Sequence, residues 1–432
     1  MNIFEWNKLD KQGQLNALKR PVVADQYKIH SSAVEILAEV KYNGDKALKA
    51  FSEKFDKVTL DSIVVSQEEF DFAERNTTPR DKSLLKKTIA RIEHFHKEMK
   101  PVDKTVDTND GVVCKKISRP IQNVGLYVPG GSAPLVSTLM MLAVPAKIAG
   151  CKNRVVCTPV GKNGKINPLI LVAAKMCGVT EVYKIGGAQA VAAMAYGTNS
   201  VQKVDKIYGP GNAWVTAAKQ IVSQEDVCVA IDMPAGPSEV LVFADRKANP
   251  VFVASDLLAQ AEHGADSQAI LVTDDEVFAR RVILELEKQT INLSRKKILT
   301  ESVKHIRAIV TKDLDQAIQV NNQYAPEHLI IQTANSKSLV AKVTAAGSIF
   351  VGAWAPEALG DYVTGSNHVL PTYGYAKNVS GLSTVDFMNT ISVQDVSQVG
   401  IKNIGPLAME LAEIEGLDAH RNAVKYRLDA IR

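Results

Sequence analysis

Between residues 119 and 240 the chain repeats one pattern: a short apolar run, a glycine-bearing turn, then an apolar stretch of helical length. NVGLYV (123–128) passes through PGGSAP into LVSTLMMLAVPAKIAG, and RVVCTP (154–159) precedes NPLILVAAKMCG (167–178). EVYKI (181–185) meets GGAQ and AVAAMAYG, and KIYGPGN (206–212) opens AWVTAAKQIV. Strands alternating with helices at this spacing predict an α/β fold, a mostly parallel sheet covered by helices on both faces. A second region of the same texture follows, with SEVLVFAD (238–245), a helix near 250–263, QAILVTD (268–274) and a helix near 275–289. HLIIQT (328–333) and GSIFVG (347–352) read as further strands, so two related sheets are expected.

Residues 1 to about 100 read as helical, with apolar residues at three-and-four spacing over 31–55 and 81–99. His94 and His96 lie two apart in the second of these, so they point to different faces and are expected at the surface. After about residue 375 the tail carries helical pieces but too little apolar surface for a core of its own. Such a segment is expected to dock on a partner.

The run Pro120–Ala146 carries no charge, which raises the question of a membrane span. Its prolines and glycines interrupt any spanning helix, and a buried strand, turn and helix fit better. The first residues lack the apolar stretch of a secretory signal, so a cytoplasmic location is expected. Lys plus Arg total 51 and Asp plus Glu 47, a net charge of +4, which lacks the basic excess of a nucleic-acid binder. The five cysteines are scattered without a CxxC pair, against a disulfide framework or a thiolate zinc cluster. No basic residue adjoins Cys157, and a reactive thiol needs an electropositive setting, so packing is the expected role of the cysteines.

The glycine turns do not spell a dinucleotide fingerprint. GPGNAW supplies two glycines of G-x-G-x-x-G and lacks the third. Taken alone, these turns mark helix N-termini, where backbone N–H groups can hold an anion.

The ionisable set of the C-terminal half points to chemistry. Gln260 and His263 are three apart and share a helix face. Glu327 and His328 follow Pro326, Asp361 precedes His368 by seven residues, and Glu415 precedes His420 by five. Two histidines, a carboxylate and an amide oxygen suit a borderline divalent ion such as Zn²⁺. No local HExxH signature accompanies them, and each histidine taken singly reads more readily as one satisfied within a core than as a ligand; both readings stand open on the residues alone. Glu327 and His328 form a candidate acid/base pair. Adjacent strand residues face opposite ways, so both reach one site only at a strand end, which Pro326 favours.

In order along the chain, VGLYVPGGSAPL (124–135), KIGGAQAVAAMAYGT (184–198), VDKIYGPGNAWV (204–215), IDMPAGPSEVLV (231–242), DLLAQAEHG (256–264), YAPEHL (324–329), GDYVTGSNHVLPT (360–372) and GLDAHRNAV (416–424) resemble the histidinol dehydrogenase family. The resemblance implies two incomplete Rossmann-like parallel-sheet domains, at 119–237 for the cofactor contacts and 238–375 for the metal and catalytic residues. It further implies a mainly helical region, 1–118, packing on the second domain, and a dimerisation tail, 376–432, docking on the partner subunit. The implied activity is oxidation of L-histidinol through L-histidinal to L-histidine with two NAD⁺, in the last steps of histidine biosynthesis. By motif, Gln260, His263, Asp361 and His420 would hold one Zn²⁺ per subunit. Tyr127, Gln189 and Asn212 would contact the dinucleotide, and Ser238, His328, His368 and Glu415 the substrate together with the metal ligands. Glu327 and His328 would be the proton acceptors. The family's homodimers, with shared sites, imply that Glu415 and His420 come from the partner. Two other classes fit parts of the pattern: a metal-dependent hydrolase with Glu327 as base, and a non-catalytic nucleotide-binding module, which the site carboxylates and histidines disfavour.

Overall fold

The computed structural model describes residues 2–21, 25–130, 134–233 and 236–431. Gly131, Ser132 and Ala133 of the first glycine-rich turn, and Pro234 and Ala235 of IDMPAGPSEVLV, lie outside the described residues. Both expected sheets form, and both are wholly parallel. The first has five strands in the order Glu181–Tyr183, Asn153–Cys157, Asn123–Tyr127, Lys206–Tyr208 and Ala230–Ile231. The second has six, in the order Asn2–Glu5, Arg307–Val310, Gln268–Thr273, Glu239–Ala244, His328–Gln332 and Ser348–Val351.

Each sheet separates two apolar layers. In the first, Leu126, Met141 and Val156 pack on one side and Tyr183, Ile185 and Ile207 on the other. In the second, Val240, Val242 and Leu271 face one layer and Leu241, Phe243 and Ile270 the other. Every residue of Glu239–Ala244 and of Gln268–Thr273 is buried, as central strands of a parallel sheet require. The helices between strands start and stop on local signals. Asn167 caps Pro168–Cys177, which ends on Gly178 in the left-handed region, and Asn249 caps Pro250–Ala261.

The N-terminal region departs from expectation. Its helices, Gln26–Phe51, Gln67–Asn76 and Pro79–Glu98, pack on the first sheet's helices rather than on the second unit. The second unit receives the strand Asn2–Glu5 and the short segment after it, through Trp6, Ala17 and Leu18, and touches Pro79–Glu98 at Asn367, whose amide lies 3.5 Å from His96 Nε2. The reason lies in AVAAMAY: a helix of small side chains presents a shallow surface on which Ile36, Leu37, Val40 and Leu48 of the long helix can settle. His94 is exposed as expected, but His96 is fully buried. Its Nδ1 lies 3.3 Å from the Thr384 hydroxyl, and burial lowers its pKa to about 4.

The tail also holds more than helices. Met388–Val396 is a strand, paired antiparallel with Val112–Pro120, which pairs in turn with Lys104–Asp107. The helices Gln398–Ile414 and Asp418–Ala430 then pack on each other. No residue of the last helix is buried, and Leu407, Leu411, Ile414 and Tyr426 are each more than 60% exposed. Among the described residues no helix is long and apolar enough to cross a membrane.

Candidate active site

Glu239 and His328 are the first residues of neighbouring central strands, and the segment that delivers His328 is tightly shaped. The helix Leu314–Tyr324 ends on Ala325, whose φ of +54° lies in the left-handed region, and Pro326 follows. Glu327 therefore stands just before its strand rather than within it, which is the condition for it and His328 to reach one site. The backbone of Glu239 holds both. Its N–H donates to Glu327 Oε2 at 2.9 Å, and its carbonyl lies 3.3 Å from His328 Nδ1. A proton on Nδ1 satisfies that carbonyl and leaves Nε2 with its lone pair. Nε2 is buried without a protein partner and lies 3.7 Å from Asp361 Oδ1; Glu327 Oε2 lies 3.6 Å from Nδ1. Burial holds the imidazole neutral, with a pKa near 3 lowered further by His263 and His368, and pushes Glu327 well above the ordinary carboxylate range.

Beside this pair, one donor atom from each of His263, Glu357 and Asp361 lies within 4.8 Å of the others. His263 follows the helix Pro250–Ala261; Glu357 and Asp361 lie four apart on the helix Glu357–Tyr362, hence on one face. Gly360 lets that helix lie against Phe350, since a Cβ there would stand 2.5 Å from the ring. Phe350 in turn lies 6.0 Å from the His328 ring, centroid to centroid. Gln260 is fully buried with Nε2 3.4 Å from His263 Nδ1 and Oε1 without a partner. His263 is exposed at the edge of the cluster, yet enough protein crowds its ring to lower its pKa, with Arg295 adding to the effect.

The donor set fits a cation. Buried oxygens without hydrogen bonds are costly, and here Gln260 Oε1 and both oxygens of Glu357 are such atoms. Burial raises the pKa of both Glu357 and Asp361, so the site accommodates its negative charge only when a positive charge sits among the carboxylates. Nitrogen and oxygen donors of this kind suit Zn²⁺.

The first unit carries a cavity of about 910 Å³ at the carboxyl ends of its strands. Tyr127, Gln189 and Asn212 all line it, with Trp214, Thr158 and the backbone of Gly186 and Gly187. The Tyr127 hydroxyl accepts from the Gly187 N–H at 3.0 Å, and burial raises its pKa to about 12. Asn212 is also the N-cap of Ala213–Val222, accepting from Trp214 and Val215. The two units meet at His368: Nδ1 lies 2.8 Å from the Asp361 carbonyl, and Nε2 lies 3.3 Å from Thr138 on the first unit's helix Val136–Ala149.

The family model for histidinol dehydrogenase matches residues 19–428. Histidinol dehydrogenases of Xanthomonas axonopodis pv. citri and Legionella pneumophila (strain Paris) are 50% and 49% identical, covering 99% and 100% of this chain and 99% of each relative. The crystal structure of histidinol dehydrogenase from Elizabethkingia anophelis superposes with a TM-score of 0.95 at 44% identity, covering 100% of this chain and 98% of that one. The chain belongs to the histidinol dehydrogenase family.

In this member of the histidinol dehydrogenase family, a single chain gathers Gln260, His263, Glu327, His328, Asp361 and His368 around one site. Ser238 immediately precedes Glu239, and its carbonyl accepts from the Gln268 N–H at 3.2 Å. Glu415 and His420 stand apart: both are exposed on the C-terminal helical arm, and His420 is outside the cluster of His263, Glu357 and Asp361. Sequence reading missed Glu357. Its four-residue spacing from Asp361 in PEALGDY was the available signal, since that spacing puts two carboxylates on one helix face.

Proposed function

We propose that this protein oxidises L-histidinol through L-histidinal to L-histidine with two NAD⁺, as a cytoplasmic, zinc-dependent homodimer. The observation that carries this reading is the pairing of Glu327 and His328 on the backbone of Glu239, beside the cluster of His263 and Asp361. Family membership supports the substrate, and the cavity lined by Tyr127, Gln189 and Asn212 supports the dinucleotide. In this division 119–237 binds the cofactor, 238–375 carries metal and catalysis, and 376–432 is the dimerisation tail.

Gln260, His263, Asp361 and a partner subunit's copy of His420 would hold the ion. When bound, zinc supplies positive charge that fixes the substrate's nitrogen atoms and orients its carbinol carbon. His328 Nε2 accepts the alcohol proton as a hydride leaves that carbon for the nicotinamide. The flanking carboxylates of Glu327 and Asp361 stabilise the imidazolium that forms. Glu327 then works from Oε1, its other oxygen being anchored by the Glu239 N–H, and takes a proton from the water that adds to the aldehyde carbon. Loss of a second hydride from the hydrate gives the carboxylate. The alcohol and one water are consumed, and two reduced nicotinamides and three protons are released. Ser238, His368 and Glu415 line the substrate's place in this reading.

The test counts reduced nicotinamide per histidine formed from L-histidinol and NAD⁺. Two per histidine supports the proposal; one, or no histidine, overturns it. Shared sites have their own test, because an exposed apolar arm carrying Glu415 and His420 is best buried on a two-fold partner. Mixing inactive His420→Ala and His263→Ala subunits under exchange should restore about a quarter of wild-type activity, since half the dimers then own one intact site. A mixture that exchanges yet stays inactive places His420 in its own chain's site.

A further inference from the structure

We propose that Glu357 is a metal-holding residue of the cluster, so that one chain supplies four donors, Gln260, His263, Glu357 and Asp361, before any partner contributes. The inference rests on the zinc reading above and adds a residue to it. Glu357 is 1% exposed, and neither carboxylate oxygen has a hydrogen-bond partner within the protein. A buried carboxylate ordinarily accepts several hydrogen bonds or meets a cation. No lysine or arginine is paired with Glu357 among the described residues, whereas the buried Glu239 has Arg20 at 2.7 Å and the buried Asp232 has Lys219.

Position supplies the rest. One Glu357 oxygen lies within 4.8 Å of donor atoms of both His263 and Asp361, close to the spacing of ligands around one ion. The residue sits on the same helix as Asp361, one turn earlier, and that helix is seated on Phe350 through Gly360. Gln260 Oε1 is also buried and unpartnered, and the same amide's Nε2 lies 3.4 Å from His263 Nδ1, at the edge of the cluster. An ion shared by these donors gives a Glu357 oxygen and the Gln260 amide oxygen the positive partner that the protein does not supply.

The experiment measures Zn²⁺ affinity by competition with a chromophoric chelator, and the melting temperature of the metal-free protein. It compares wild type, Glu357→Gln, Glu357→Asp and Asp361→Asn. The expected result is a loss of roughly 10- to 100-fold or more in affinity for Glu357→Gln, the range seen when groups supporting a metal are removed. Glu357→Asp should recover part of that loss. The metal-free Glu357→Gln protein should melt no lower than metal-free wild type, because the variant removes a buried carboxylate that has no partner. A metal-free melting temperature that falls instead assigns Glu357 a structural role and overturns the inference. Unchanged affinity in Glu357→Gln alongside a loss in Asp361→Asn also overturns it, while leaving the zinc reading intact. If wild type fails to bind Zn²⁺, or Asp361→Asn binds it equally well, the zinc reading itself falls and this inference with it.

Discussion

The two parallel sheets are built by the same rule and do opposite things with their edges. The five-stranded sheet opens a cavity at the carboxyl ends of its strands, where Tyr127 closes one strand and Gly186, Gly187 and Asn212 begin helices. That is where open α/β sheets usually bind ligands, because backbone N–H groups at helix starts converge there. The six-stranded sheet places its chemistry at the amino ends, with Glu239 and His328 as first residues of their strands. One edge offers small residues and backbone dipoles; the other offers ionisable side chains, of which Glu357 and the His328 Nε2 are buried without protein partners. A dinucleotide needs a wide, shaped surface, whereas proton transfer and metal binding need a few ionisable groups in a dry place. In the proposed function these demands fall on two copies of one scaffold, and His368, 3.3 Å from Thr138, lies where the two units meet.

The sharpest way to break this comparison is to strip the metal. Chelation should abolish turnover and added Zn²⁺ should restore it, while NADH still quenches Trp214 fluorescence in the first unit's cavity. Full activity in protein shown by elemental analysis to be metal-free would remove the division of labour. Next in size, His328→Asn should slow alcohol oxidation by ~10²- to 10⁴-fold, the usual worth of a general base. Glu327→Gln should impose a similar loss on oxidation of supplied L-histidinal; a wild-type rate there would show that the water is activated elsewhere. A smaller effect is expected from the other edge. Gln189→Ala should raise KM for NAD⁺ by up to about tenfold, the worth of one hydrogen bond, with kcat little altered. If kcat falls instead, Gln189 acts on the chemistry and the two edges are less separate than proposed. The smallest effect should come from the thiols. Burial pushes Cys151 up to about 12 and Cys157 higher still, and both lie in the first unit's cores. Cys151→Ala and Cys157→Ala should stay within a few fold of the wild-type rate; a thousandfold loss with folding intact would point to a covalent thiol route.

Much of the scaffold was legible because its signals are local. Apolar runs bounded by glycine turns marked most strands of both sheets, and the apolar stretches of helical length between them marked the helices. What escaped were elements whose partners lie far away in sequence. Asn2–Glu5 is an edge strand only because Arg307–Val310 is there to pair with it, and Met388–Val396 only because of Val112–Pro120. His96 looked like a surface residue because histidine is polar, yet it continues the buried face of Leu85, Ile89 and Ile92, and Thr384, almost three hundred positions on, covers it.

The sequence by itself determined the family, the parallel α/β architecture and the residue types available for catalysis, since motif spacing and alternating elements are written in consecutive positions. Only the tertiary structure decided which of those side chains share one site. It set Glu327 and His328 on the backbone of Glu239, brought the unsuspected Glu357 to His263 and Asp361, and left Glu415 and His420 outside on an exposed arm. Convergence of that kind depends on how separate elements pack, and on which polar atoms packing leaves without a partner.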